Sequence, residues 1–252
     1  MSAVPKRWLL LRGLAREKRH WGAFPDHFAK DVGVEVHTID LPGMGTEVQS
    51  IVPTTVQGIT DDLRARWLAL GGEGPAGIFA VSLGGMILLD WCTRYPGDFA
   101  RAVIVNSSAG NLSPFHHRLR PPVYRRLFGS VLENDPRVRE RTIVGLVTNL
   151  QKDIDTVAGA WASYAEDTKP KRASVLRQLW AGSRFKAPVK IDVPLLVLGS
   201  KGDRFVDPRC SERIAERFSA PIEWHDDAGH DLPLDAPAWV TAAVRRWVMV
   251  QA

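Results

Sequence analysis

The chain has 252 residues, 45% of them hydrophobic and 24% charged, with 21 Gly and 17 Pro. That balance excludes a disordered tail and a collagen-like repeat, and no apolar run approaches the ~18 residues of a bilayer-spanning helix. The net charge of +5 is unevenly spread: residues 111–187 hold 14 Lys and Arg against 7 Asp and Glu, so the basicity belongs to one segment.

The opening residues lead into only four apolar positions, Trp8-Leu9-Leu10-Leu11, too few for the core of a secretion signal, and a cytoplasmic protein is expected. Short apolar runs at residues 8–11, 34–39, 76–81, 102–105, 195–198 and 222–224 read as strands. They lack clear alternation, as parallel strands buried on both faces do. Helical patterns fall between them. Thr54 or Thr55 caps a stretch that Gly71-Gly72 ends, residues 83–95 stop at Pro96-Gly97, residues 208–218 begin at a proline, and residues 236–248 close the chain. Strand and helix in alternation predict a mostly parallel, doubly wound α/β sheet of about six strands.

That rhythm breaks after Asn111. Residues 122–131, 137–150, 154–167 and 173–181 give four helical patterns with no convincing strand among them. The expected organisation is therefore a core of residues 1–110 and 188–252 with a helical insertion at 111–187. Inserted helices would cover the C-terminal edge of the sheet, where α/β ligands bind, so a lid is the simplest reading and a stabilising insertion the alternative. Cys92 and Cys210 form no metal or redox spacing, and Cys92 reads as a small buried hydrophobe. No metal constellation stands out and no cofactor is expected.

The strongest chemical signal is Phe79-Ala80-Val81-Ser82-Leu83-Gly84-Gly85. A serine on a sharp strand-to-helix turn is held in strained geometry with its hydroxyl above the sheet, and small residues two positions either side prevent collision. An ordinary helix-capping serine is the plainer explanation of such a residue taken alone. A nucleophilic serine needs a base, and the base an orienting carboxylate. His230, in Asp227-Ala228-Gly229-His230-Asp231 directly after the last strand, is the best base; His225, His37, His116, His117, His20 and His27 are poorer placed. Asp203 follows the fifth strand in a glycine-rich turn and is the leading carboxylate, with Asp207 the main alternative and Asp192 a distant one. Oxyanion donors are expected from the backbone N–H of Leu83 and, after the first strand, of Leu14, beside Gly13. Arg12 and Trp21, in and near that same loop, are candidate substrate contacts.

These residues resemble the α/β-hydrolase superfamily over nearly the whole chain. Arg12-Gly13 stands where that family usually has His-Gly, Asp40-Leu41-Pro42-Gly43-Met44-Gly45 matches its Asp-x-Pro-Gly-x-Gly turn, and Gly229-His230 matches its terminal histidine loop. The resemblance implies Ser82, Asp203 and His230 as a triad with Leu14 and Leu83 as oxyanion donors. Ala80 replaces the commoner first glycine of the elbow, and the family's usual N-terminal hairpin is missing. A serine nucleophile disfavours the dehalogenase and epoxide-hydrolase chemistries, which attack with aspartate, and leaves acyl transfer to water.

The insertion is similar to that of carboxylesterases that cleave pimeloyl-acyl-carrier-protein methyl ester. Arg118, Arg120, Arg125, Arg126, Arg137, Arg139 and Arg141 would then make a cationic surface able to steer acidic substrates or an acidic carrier protein toward a site for a small-molecule ester, a solvated charged face being the plain alternative. Proline iminopeptidase-like, carbon–carbon hydrolase and lyase chemistries use the same triad, and a non-catalytic hydrolase-fold binding protein is a further alternative. The basic segment lacks a nucleic-acid-binding motif, so neither nucleic acid nor membrane is an expected partner.

Overall fold

In the computed structural model, which describes residues 5–250, six strands form a single sheet: β1 (Arg7–Leu11), β2 (Glu35–Thr38), β3 (Ala76–Val81), β4 (Phe99–Val105), β5 (Leu195–Ser200) and β6 (Ile222–His225). Residues 1–4, with which the expectation about a secretion signal begins, lie outside the described part. The strand order is β2-β1-β3-β4-β5-β6 and every neighbouring pair is parallel. The chain passes from β1 outward to β2 and then returns to β3 on β1's other side. The crevice at the C-terminal ends of β1 and β3 is thus the switch point at which open α/β sheets bind ligands.

Helices cover both faces. Helix α1 (Phe24–Val32) lies between β1 and β2, α2 (Val56–Ala69) between β2 and β3, and α3 (Leu83–Arg94) between β3 and β4. Five helices separate β4 from β5: a single turn α4 (Phe115–Arg118), then α5 (Pro121–Leu132), α6 (Pro136–Val147), α7 (Ile154–Thr168) and α8 (Arg172–Arg184). Helix α9 (Arg209–Phe218) precedes β6, and the short α10 (Leu232–Asp235) and α11 (Pro237–Val250) follow it. None of the helices among the described residues is long and apolar enough to cross a membrane.

The pleat explains the unbroken apolar runs. Leu9, Leu11, Ile78, Ala80, Ile104 and Val197 point to one face and pack with Ile59 and Leu63 of α2, Ile87 and Trp91 of α3 and Ile214 of α9. Trp8, Leu10, Phe79, Val103 and Leu198 point to the other and pack with Phe24 and Phe28 of α1 and Val240, Val244 and Trp247 of α11. Both sides of each central strand are therefore core. A third cluster, including Val123, Leu127, Val144, Val147 and Trp161, has its buried members within α5–α7 and the turn before them, and Phe205 and Leu234 from outside the insertion pack against it.

Two local departures from the sequence expectations have clear causes. Helix α1 was not anticipated; Pro25 sits in its first turn, Phe24 and Phe28 share one face at i and i+4, and Gly33 ends it with φ 77. The helix expected over 137–150 ends at Val147, because Thr148 turns extended (φ −118, ψ 153) and the next residues are drawn into contacts with other loops.

Candidate active site

Ser82 joins β3 to α3 with φ 56 and ψ −116, a positive φ that a side-chain-bearing residue adopts only under strain. The surroundings hold it there. Its N–H donates to Val105 O at 2.9 Å, and its carbonyl accepts from Ser107 Oγ at 2.7 Å. A Cβ added to Gly84 would sit 2.7 Å from Arg12 O and 2.8 Å from Leu11 O, so the first turn of α3 presses directly on the end of β1. Glycine at this position is what permits that approach. Gly13 is similarly close, as a Cβ there would lie 3.1 Å from Ser82 Cβ.

His230 and Asp203 meet above the ends of β5 and β6. His230 Nδ1 lies 2.7 Å from Asp203 Oδ2, and both side chains are buried. The other carboxylate oxygen accepts from the N–H groups of Phe205 (2.7 Å) and Val206 (2.9 Å), which locks the acid in place. Phe205 stacks on the imidazole with ring centres 4.9 Å apart. An ionised Asp203 accepting from Nδ1–H leaves Nε2 as the free lone pair, the tautomer a general base requires.

The rival residues are occupied elsewhere. Asp207 accepts from the N–H and guanidinium of Arg209, which lowers its carboxyl to about 2, and it caps the start of α9. Asp192 pairs on the surface with Lys190, His225 accepts from the turn N–H groups of Asp227 and Ala228, and His37 lies against Glu35 and Trp67. Both cysteines are buried, and that burial pushes the Cys210 thiol up to about 11. The Asp-x-Pro-Gly-x-Gly turn is structural: Asp40 accepts from Lys18 N and Thr46 N, while Gly43 and Gly45 take positive φ.

Ser82 and His230 line one cavity of about 170 Å³, together with Gly13 and Leu14. The N–H of Leu83 belongs to the first turn of α3 and has no intrahelical acceptor. Leu127, Ile143, Val147, Trp161 and Leu179 of α5–α8 form the apolar roof. Polar groups gather on one side. Glu140 of α6 accepts from Arg16 at 2.7 Å and from Arg139 at 3.1 Å, and Arg16 also reaches His20 Nε2 at 3.0 Å. Burial above all, with Arg16 and Arg12 adding repulsion, holds the His20 imidazole well below its ordinary range and therefore neutral.

Of the two candidate substrate contacts, Arg12 lines the cavity and Trp21 does not. Trp21 is a core residue instead, stacked on Phe24 with its ring under the Arg12 guanidinium at 4.6 Å. Arg12 is itself committed to Asp231, donating from Nη1 to Oδ1 at 3.1 Å and from Nη2 to Oδ2.

Several positioning groups escaped the sequence reading. Asn106, at the end of β4 with φ 44, donates from Nδ2 to His230 O at 2.9 Å and accepts the Ser200 N–H at 2.9 Å. Asn149, just past α6, donates to Gly202 O and Asp227 O, tying the Asp203 loop to the His230 loop. Asp235 accepts from Gly229 N at 2.7 Å. A polar residue directly ending an apolar strand was the available hint for Asn106; Asn149 had none, because its partners are far off in the chain.

Comparison with known proteins agrees with this architecture. A model of the alpha/beta hydrolase family matches residues 8–243. The pimeloyl-[acyl-carrier protein] methyl ester esterase of Aromatoleum aromaticum is 25% identical over 235 residues, 88% of this chain and 90% of its own. Among solved structures, a thermophilic esterase from Thermogutta terrifontis superposes with a TM-score of 0.73 at 20% identity, covering 98% of this chain and 91% of the other. The esterase RhEst1 from a Rhodococcus species gives 0.72 at 20% identity, covering 97% and 90%. With the family model matching nearly the full length, the chain belongs to the alpha/beta hydrolase family.

Proposed function

We propose that the protein is a serine hydrolase that cleaves carboxylic esters through an acyl-enzyme on Ser82. His230 takes the Ser82 proton through Nε2, Asp203 holds the imidazole and stabilises its charged form, and the N–H groups of Leu14 and Leu83 receive the oxyanion. Water activated by the same histidine then releases the acid. The observation that carries this reading is a serine at φ 56 sharing a cavity with a histidine whose other nitrogen is 2.7 Å from a buried carboxylate. The ester specificity draws support from the esterase relative and from a mostly apolar roof suited to an acyl chain.

We divide the chain accordingly into a hydrolase core, residues 1–110 and 188–252, and a cap, residues 111–187. The cap would also meet an acidic carrier bearing the ester. Of its arginines, Arg118 donates to Gly182 O and Ser183 O, Arg120 to Asp203 O, and Arg139 and Arg141 pair with Glu140 and Asp155. Exposed Arg125, Arg126 and Arg137 make no ion pair among the described residues and are among the cap cations open to such a partner. Their contribution is electrostatic, so hydrolysis of a carrier-bound ester should slow as salt rises while a neutral p-nitrophenyl ester is unaffected.

The decisive experiment is labelling by a fluorophosphonate together with p-nitrophenyl ester hydrolysis. Ser82→Ala should abolish labelling and cut kcat by about 10⁴-fold or more, while folding as the wild type does. Labelling that survives in Ser82→Ala overturns the reading.

A further inference from the structure

Arg12 and Asp231 stand at the two loops on which the proposed chemistry depends. Arg12 immediately precedes Gly13-Leu14, and Asp231 immediately follows His230. The sheet cannot register these loops against each other, because β3, β4 and β5 lie between β1 and β6, about 4.8 Å per strand. The Arg12–Asp231 contact does span them, above the sheet and over 219 residues of sequence.

Its geometry is that of a rigid fork. Both Nη atoms of Arg12 bond both oxygens of Asp231, and both residues are buried, 4% exposed each. The Trp21 ring supports the guanidinium at 4.6 Å, and Arg12 Nε has no hydrogen-bond partner among the described residues. The backbone of each residue is fixed as well. Arg12 O lies against the first turn of α3 next to Ser82, and Asp231 N donates to Val147 O at 2.8 Å. Stability alone does not account for such a pair, since apolar replacement of a buried ion pair is often neutral or stabilising, whereas a lone buried charge is costly.

We infer that Arg12 and Asp231 are positioning residues, a charge-balanced clamp that sets the oxyanion loop against the histidine loop and cancels the field of each partner at the imidazole. This rests on the assignment of Ser82, His230 and Asp203. The compact ammonium of lysine cannot reproduce the two-pronged contact, and loss of either partner leaves one uncompensated charge close to His230. The remaining charged groups around His230 are Asp203 itself, Arg120 on the Asp203 carbonyl, Asp235 on Gly229 N, Arg204 on the carbonyls of Gly145 and Thr148, and the Arg16–Glu140 pair across the cavity. None of these changes in the variants below.

The test is the pH profile of kcat/KM for p-nitrophenyl butyrate, whose acid limb reports protonation of the catalytic base in the free enzyme. In Arg12→Met the stranded carboxylate favours the imidazolium, so the acid limb moves to higher pH, by on the order of half to one unit. In Asp231→Asn the stranded guanidinium disfavours it, and the limb moves to lower pH by a similar amount. Both variants should lose about tenfold or more in kcat with little change in KM, the mark of lost alignment. The double variant, Arg12→Met with Asp231→Asn, should return the limb to its wild-type position while kcat stays low. Arg12→Lys keeps the charge and should leave the limb in place with kcat partly restored.

A merely structural brace predicts limbs that stay put, or move together, in the two single variants, and either result overturns the clamp, as does wild-type kcat in either. Should Arg12→Met fail to fold, Asp231→Asn and Arg12→Lys decide the matter alone: a limb unmoved in Asp231→Asn overturns it. If Ser82→Ala still labels, the assignment beneath fails. If Ser82→Ala is silent and the limbs do not move apart, only the clamp fails.

Discussion

Where α6 ends against the rest of the molecule, polar groups are densely paired, the buried Thr148 hydroxyl excepted. Val147 O accepts from Asp231 N, Asn149 Nδ2 donates to Gly202 O and Asp227 O, and Asp235 accepts the N–H groups of both Asn149 and Gly229. The same inner seam continues along α7 and α8, with Arg19 on Tyr164 O and Gln178 bridging Pro42 O to Ala15 N. The corner between α5 and α6 differs sharply: Phe128, Leu132 and Val138 stand 50%, 71% and 50% exposed. Directional bonds along the seam make it part of the frame that positions His230 and Asp203. Apolar groups in water at the corner impose no geometry, and Phe128 among them lines the cavity, so that corner bears on what enters rather than on alignment.

The harshest way to break this contrast is at the seam. A methyl on Gly229 would sit 2.6 Å from Val147 O and 3.0 Å from the Thr148 backbone, so Gly229→Ala must displace either α6's end or the histidine loop. We expect kcat/KM to fall by about 100-fold, read by steady-state ester hydrolysis. Near-wild-type activity would mean that the seam does not set the alignment.

A gentler probe is His20, whose ring packs edge-on against Trp161 and Tyr164 of α7. Its folded form resists protonation, whereas the unfolded chain binds a proton below about pH 6.5. Stability from the neutral ring is thus present in full above that pH and declines as pH falls, by up to about 1.4 kcal/mol per pH unit. Urea midpoints at pH 7.5 and 5.5 should therefore diverge more for the wild type than for His20→Gln. The smallest effect belongs to the outer corner. Leu132→Ser combined with Val138→Ser should shift stability by less than about 0.5 kcal/mol, seen as an almost unchanged thermal midpoint; a larger loss would show the corner to be structural after all.

How much of this was legible in sequence depended on distance along the chain. Ser82 announced itself locally, because strand, small residues and helix all lie within a few positions of it. Asp203 ranked ahead of Asp207 because Asp207 stands just before Pro208, where capping the next helix explains it; the fold shows the first meeting His230 and the second at the start of α9. Arg12 was read as a cation facing substrate, and its commitment to Asp231 was invisible because the partner lies at the far end of the chain. Trp21 misled for a related reason. A large aromatic near the first loop fits a pocket wall or a core equally well, and here Phe24 and Phe79 claim it for the core. The arginine-rich cap read as one basic surface, but Arg118 and Arg120 turn inward to carbonyl groups, which no charge count can reveal.

The placement of the five inserted helices between β4 and β5 also orders events during synthesis. Ser82 and the whole roof emerge from the ribosome before Asp203, and His230 comes later still. A chain that has reached only the stretch between α8 and β5 holds Ser82 and the helices of the roof but neither Asp203 nor His230, so on the proposed assignment it lacks both the base and the acid that an acyl-enzyme requires.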